Sequence, residues 1–310
     1  MMIRQQAFGG SEKMLKGNLH CHSNRSDGRL APEEVIRKYV DAGYDFLSLT
    51  DHYIYNLKNY GDQSITIIPG MEYDCDDPDM GWGWPIHTFH ILCLGPSAED
   101  GNGFRQDEKM EAGKADNQEE LQPYLDEIHR KNNMTILAHP QWSSTPPREF
   151  EKLQGIVAME IWNSGNVYWC DMDADAFYWD EMLANGARIY GVAGDDAHAD
   201  PIFCRGWIMV RAENSVNAIL DAIREGKFYS SAGPEIYDFY VENNKAVIEC
   251  SPAAKIRMHR NHHPTCIQKG EGLTRAEFDL GPKPEYIRYI RMSVVDENGK
   301  IAWTNPVWFD

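Results

Sequence analysis

The sequence predicts an α/β protein: a barrel of parallel strands related to the (β/α)8 form, followed by a small antiparallel β domain of sandwich size. Three observations carry that expectation. Short apolar runs alternate with amphipathic segments from about residue 15 to residue 231. That pattern stops at Gly233-Pro234 and gives way to short alternating runs separated by turns. Most of the expected barrel strands end, at the C-terminal end, in a side chain of the kind that binds metal.

The elements follow in order. Residues 15–21 read as the first strand. A helix follows, with Pro32 in its first turn, Val35, Ile36, Tyr39 and Val40 on one face and Gly43 as its stop. Residues 46–50, 65–68 and 89–94 read as buried strands, and the acidic, glycine-rich residues 97–117 as an inserted loop. Leu121, Tyr124, Leu125 and Ile128 recur at helical spacing. Strands are expected at 134–138 and 156–162, a helix over 175–185 ended by Gly186, then strands at 188–193 and 207–210. Ser215 caps a further helix that buries Val216, Ile219, Leu220 and Ile223 and closes at Gly226. Strands joined by helical crossovers run parallel, and seven or eight such units suggest a barrel. Beyond Pro234, runs at 237–242, 246–250 and 286–295 alternate, with turns at Asn243-Asn244 and Asn298-Gly299. The expected domains are therefore 1–232 and 233–310.

Composition narrows the function. Forty-eight acidic against 30 basic residues give a formal charge of −18, a surface that repels long nucleic acid. Seven cysteines without regular spacing argue against a disulfide framework and fit a reducing compartment. No N-terminal apolar segment reads as a signal peptide, and no apolar run approaches the ~20 residues of a membrane span. The expectation is a cytoplasmic protein with a small-molecule partner and no membrane contact. The sequence carries no signal for oligomeric state.

The chemistry gathers at strand ends. These carry His20-Cys21-His22 with Asp27, then Thr50-Asp51-His52, Pro69-Gly70-Met71-Glu72, Ala138-His139-Pro140 and Gly194-Asp195-Asp196-Ala197-His198. In barrel folds the C-terminal ends of the strands form the active face. Residues two apart on a strand share a side, so His20 and His22 can grip one ion while Cys21 faces away. His90 departs from the rule, because it opens its strand instead of closing it; strand register favours it over His87. Taken singly, each motif reads as ordinary packing or a turn. Together they make six imidazoles and three carboxylates, too many for one tetrahedral ion. That donor chemistry suits zinc, manganese or iron in a cluster of two or three, with Glu72 able to bridge a pair. His129 reads as a solvated helix residue, and His259, His262 and His263 as an exposed basic loop.

These motifs, together with Ser26-Asp27-Gly28 and Leu49-Thr50-Asp51-His52, resemble those of the PHP (polymerase and histidinol phosphatase) family, in the family's order over residues 16 to 198. The resemblance implies a distorted (β/α)7, TIM-like barrel with a trinuclear metal site. Carried over residue by residue, the first ion would take His20, His22, Glu72 and Asp196. The second would share Glu72 and take His90 and His139. The third would take Asp27, His52 and His198. Segments 206–211, 226–234 and 302–306 look like the carbaryl hydrolase-like branch, which adds a C-terminal β domain.

The resemblance implies a metal-dependent hydrolase. The expected reaction is cleavage of a small phosphate ester through a metal-bridging hydroxide, positioned by Glu72 and Asp196. Arg25 and Arg205, beside the motifs, are the candidate cations for the phosphate. The alternative is a carbamate or carboxylic ester held against Tyr53, Tyr55, Trp142 and Trp162. A third reading is a metal-stabilised barrel without catalysis. Asp51 and Asp195, spare carboxylates beside the ligands, are expected to orient ligand imidazoles.

Overall fold

The computed structural model describes residues 5–76, 88–96, 103–261, 263–282 and 284–309. Its first stretch runs β1 (Gln5–Gln6), β2 (Met14–Asn18), α1 (Pro32–Asp41), β3 (Phe46–Leu47), β4 (Thr66–Ile67), β5 (Gly70–Asp76), β6 (Thr88–Leu94) and β7 (Gly113–Lys114). Next come α2 (Gln118–Arg130), β8 (Met134–Leu137), β9 (Ile156–Asn163), α3 (Ser164–Trp169), α4 (Ala176–Ala184), β10 (Tyr190–Gly194), β11 (Trp207–Arg211), α5 (Val216–Arg224) and β12 (Phe228–Ser231). The remainder is all strand apart from one short 3-10 turn: β13 (Ile236–Glu242), β14 (Lys245–Arg260), β15 (His263–Asp279), β16 (Tyr289–Val295), β17 (Ile301–Thr304) and β18 (Val307–Trp308).

Four helices form where expected, and α3 was not anticipated. Pro32 starts α1, the Glu34 carboxylate accepts the Ala31 N–H at 3.0 Å, and Val35, Ile36 and Tyr39 are buried. Asn117 accepts the Glu120 N–H at the start of α2, and Ser215 accepts the Ala218 N–H at the start of α5. The buried face of α5, Ile219, Leu220 and Ile223, joins Leu15, Phe46, Ile136 and Val192 in one core cluster. Each such side chain contributes roughly 1.5–3 kcal/mol of transfer free energy. Among the described residues no helix is long and apolar enough to cross a membrane.

The result is a mixed α/β fold of two sheets. The larger has the order β1-β13-β14-β16-β17-β12-β11-β2-β3-β4, with β15 on β14 and β18 on β16; the smaller is β10-β9-β8-β6-β5-β7. Parallel pairing joins β2, β3 and β4, and likewise β8, β9 and β10. The expectation of parallel strands throughout fails at β11, antiparallel to both β2 and β12, and at β6, antiparallel to both β5 and β8. The connection from Asp76 to Thr88 is shorter than a helical crossover, which takes a dozen residues or more. The inserted loop places β7 beside β5, and residues 97–102 within it, like His87 and His262, lie outside the described residues.

The antiparallel strands beyond Pro234 continue the larger sheet through β12 and β17. His259 does not sit in an exposed loop. It is buried in β14, beside Asp180 of α4 and Arg291 of β16. His129 is part-buried, against Thr135 Oγ1 at 3.0 Å.

Candidate metal centre

Backbone pairing runs past the regular strands and draws their ends together. Asp196 N–H donates to His20 O at 2.8 Å and His22 N–H to Ala197 O at 3.1 Å. Thr50 N–H donates to Cys21 O, Glu72 N–H to Thr50 O, and Ala138 N–H to His90 O. His20 and His22 thus project to one side, while Cys21 turns away and donates its thiol to Ser48 O at 3.3 Å. The antiparallel β6 resolves the exception at His90. Running backwards, its first residues lie beside the last residues of its neighbours, with His90 directly opposite Asp74 of β5.

All nine expected ligands meet. Around the first position, Glu72 Oε2 lies 3.1 Å from both His20 Nε2 and His22 Nε2, and Asp196 Oδ1 lies 3.3 and 3.1 Å from the same nitrogens. A tetrahedron of donors about 2.0 Å from its centre has edges of roughly 3.3 Å, so four atoms at this spacing suit one zinc-like ion. Glu72 Oε1 lies 2.9 Å from His90 Nδ1 and 3.2 Å from His139 Nε2, so its two oxygens face two positions. At a third position Asp27 Oδ2 stands 3.1 Å from His198 Nε2 and 3.6 Å from His52 Nε2.

The donor set fits divalent ions on a further ground. Among the described residues, Asp74 Oδ1 is buried without a hydrogen-bond partner. Buried polar atoms of this kind are costly unless something completes them. Backbone strain also collects here, with His139 at φ 25° and Asp196 at φ 51°. Gly28 is required by close approach: a Cβ there would meet the His22 carbonyl carbon at 2.6 Å. That packing seats the loop bearing Asp27.

Three contributors were not expected from the sequence. Glu160 of β9, fully buried, accepts from His20 Nδ1 at 2.9 Å, from His139 N–H at 3.0 Å and from Asn163 Nδ2 at 2.9 Å. It points His20 Nε2 at the cluster, as carboxylates behind metal-binding imidazoles do. Asn163 Nδ2 also reaches Asp196 Oδ2 at 3.2 Å. Asp74, two residues after Glu72, shares its side of β5 and comes within 2.8 Å of His52 Nδ1. Two signals were present: a carboxylate inside the apolar run 156–162, and the Glu-x-Asp alternation at 72–74.

Asp51 and Asp195 orient loops and not imidazoles. Asp51 accepts from Ser23 N–H at 2.7 Å and from the Ser23 and Ser26 hydroxyls. Asp195 takes the backbone N–H groups of Cys204, Arg205 and Gly206 and the hydroxyls of Tyr39 and Ser164. Burial pushes its carboxyl up to about 6 against the pull of those donors.

A cavity of about 140 Å³ opens on the cluster, lined by Trp142 and by the expected ligands other than His20 and His22. Neither Arg25 nor Arg205 lines it. The Arg25 guanidinium is held by Asp107 and by Tyr60 Oη, and the exposed Arg205 donates Nε–H to Pro201 O at 3.0 Å. Sequence adjacency placed both arginines next to the motifs, but their side chains are engaged elsewhere. Tyr55 and Trp162 are buried and do not line it. Trp142 meets the His90 and His139 rings edge-on, and Trp169 of α3, nearly half exposed, stands 6.1 Å from the His198 ring.

Electrostatics ties proton and cation binding together. Burial disfavours charged imidazole, but Asp196 and Glu72 outweigh it and raise His22 to about 10; against the same burial, Asp74 and Glu72 raise His90 to about 9. A divalent ion must displace those protons. Ion binding at pH 7 is therefore expected to release protons and to weaken as pH falls. Titration calorimetry in buffers of different ionisation enthalpy measures this, and a heat independent of buffer would contradict it.

Buried imidazoles and carboxylates converging on one cavity make this a mixed α/β protein with a candidate multinuclear metal centre. Residues 18–231 match the PHP domain family, and the chain belongs to that family. Membership supports a metal-dependent hydrolase. No curated protein sequence matches the chain. Among solved structures it is similar to a two-domain protein from Bacteroides vulgatus described as containing a predicted PHP-like metal-dependent phosphoesterase, with 14% identity, 96% of each chain covered and a TM-score of 0.47. It is also similar to an amidohydrolase from Chromobacterium violaceum with bound sulfate and no metal, with 17% identity, 60% of this chain and 88% of that one covered and a TM-score of 0.41. PsfC from Pseudomonas syringae is similar at 14% identity, over 70% of this chain and 90% of that one, with a TM-score of 0.44.

Proposed function

We propose that this protein is a phosphoesterase that cleaves a small phosphate ester with two or three divalent ions, of zinc, manganese or iron. The observation that carries the reading is the spacing of donor atoms around Glu72: His20 Nε2 and His22 Nε2 lie 3.2 Å apart and each 3.1–3.3 Å from Glu72 Oε2 and Asp196 Oδ1. His20, His22, Glu72 and Asp196 would hold one ion, Glu72, His90 and His139 a second, and Asp27, His52 and His198 a third. Bound there, such ions lower the pKa of water and neutralise charge on the oxygens of the substrate. The chain's own groups set the rest. Glu160 holds His20 in one tautomer, Asp51 and Asp195 brace the two loops, and Trp142 narrows access. Among the described residues no Lys or Arg lines the cavity, so the ions themselves would clamp the phosphate oxygens.

One observation favours cleavage of a carbamate or carboxylic ester instead. Trp142 and Trp169 offer apolar faces beside His90, His139 and His198. A panel of phosphomonoesters, phosphodiesters and aryl carbamates, with zinc or manganese, separates the readings. The expected result is kcat/KM at least ~100-fold higher for a phosphate ester. The reverse preference would replace this reading with the second.

Three further expectations belong with this proposal. The bridges Cys21↔Ala197 and His52↔Glu72, which link strand ends of the two sheets, support the distorted (β/α)7 barrel that the family resemblance implies. The all-strand composition beyond Ile236 supports a C-terminal domain from about residue 233. Seven free cysteines support a cytoplasmic location.

A further inference from the structure

We propose that Asp74 is a tenth residue of the metal centre, a direct ligand of the ion that Glu72 and His90 would hold. The inference rests on the metal-dependent reading above and goes beyond the ligand set that the family resemblance implies.

Four observations carry it. Asp74 is only 6% exposed, so its carboxylate has little water. Among the described residues its Oδ1 is buried with no hydrogen-bond partner. That orphaned oxygen stands 3.4 Å from His90 Nδ1, close to the edge length that relates two ligands of one small ion. The backbone leaves Asp74 no other face. In β5 it alternates with Tyr73 and shares its side with Glu72, and across the antiparallel ladder it pairs directly with His90.

The neighbours explain why a cation and not a proton donor should complete this oxygen. Among the described residues, the titratable nitrogens nearest the carboxylate are His90 Nδ1 and His52 Nδ1, the latter 2.8 Å from Oδ2. His90 Nδ1 is also 2.9 Å from Glu72 Oε1, so one nitrogen faces two carboxylates. If that nitrogen binds an ion it carries no proton, and both carboxylates then need the ion itself as counter-charge. His52, Glu72, Asp74 and His90 offer four donor atoms within 4.8 Å of one another. Asp74 thereby links two positions: Oδ1 serves the ion at Glu72, and Oδ2 holds His52, whose Nε2 faces Asp27.

The test uses the full chain, stripped with chelator and reloaded with cobalt(II). Wild type and Asp74→Asn are compared by ion count, by competition with a chromogenic chelator and by visible absorption, which reports coordination number. Partners behind a ligand typically cost 10–100-fold in affinity when mutated, so loss of a true ligand should weaken one ion by about 100-fold or more and alter the cobalt spectrum. The same loss should persist in a His52→Gln background. An unchanged ion count, affinity and spectrum would overturn the proposal, as would an effect that vanishes once His52 is replaced, since Asp74 would then only orient that ring. Wild type that binds no ion would defeat the metal reading itself. Asp74→Ser, which fits the same space, carries the test if the Asn variant does not fold.

Discussion

Glu72→Gln is expected to lower turnover by about 10³-fold or more and to reduce the ion content of the purified protein. Glu72 is 1% exposed and touches four imidazoles, His20, His22, His90 and His139, through two oxygens that face different positions. Glutamine keeps the shape but is uncharged, so both positions lose the carboxylate's charge and one of them meets an amide NH2 that cannot act as a ligand. The mechanism is electrostatic and should spare the fold. Metal analysis and kcat with a responsive ester are the measurements. Wild-type ion content with turnover within tenfold would show that Glu72 is not the bridge.

Arg291→Met is expected to destabilise the protein by about 3–5 kcal/mol, the cost of stranding one member of a buried ion pair. Arg291 is 1% exposed, and its guanidinium grips Asp180 through Nε at 2.8 Å and Nη2 at 2.5 Å, with Tyr289 Oη adding a third contact to the carboxylate. Asp180 lies on α4 and Arg291 on β16, so the pair ties the N-terminal helices to the C-terminal strands. Burial works against the Asp180 carboxylate, but Arg291 and His259 lower it to about 2. Its pKa is depressed on folding, so the pair contributes fully above the ordinary carboxylate range and is lost only as pH falls through about 2. Urea denaturation gives the number. Asp180→Asn in the Arg291→Met background should recover much of the loss; single and double variants of equal stability would show that the stranded charge is not the cause.

His259 has the opposite sign. Burial, then Arg291, push it down to about 4 from 6.5, so it stays neutral in the fold while the unfolded chain takes up a proton. Stability should fall between about pH 6.5 and pH 4 from this group, and His259→Gln should flatten that part of the profile.

Much of the centre was legible because metal chemistry restricts residue type and a strand's period of two restricts direction. His20, His22, Glu72, His139, Asp196 and His198 needed only the rule that active faces form at strand ends. The helices from Pro32, Asn117 and Ser215 were legible for the same local reason, since caps and apolar spacing act within a few residues. His90 looked misplaced because sequence carries no strand direction, and only the antiparallel ladder of β6 turned an opening residue into a terminal one. Glu160 and Asp74 were hidden among apolar neighbours, where their partners lie 140 residues away at His20 and 22 away at His52. Arg25 and Arg205 show the converse: adjacency in sequence, but side chains drawn off by Asp107, Tyr60 and Pro201. Residue types and local periodicity therefore specified the elements and the ligand chemistry. Strand direction, the partners of Glu160 and Asp74 and the fate of each arginine depended on contacts between distant segments, which no local pattern records.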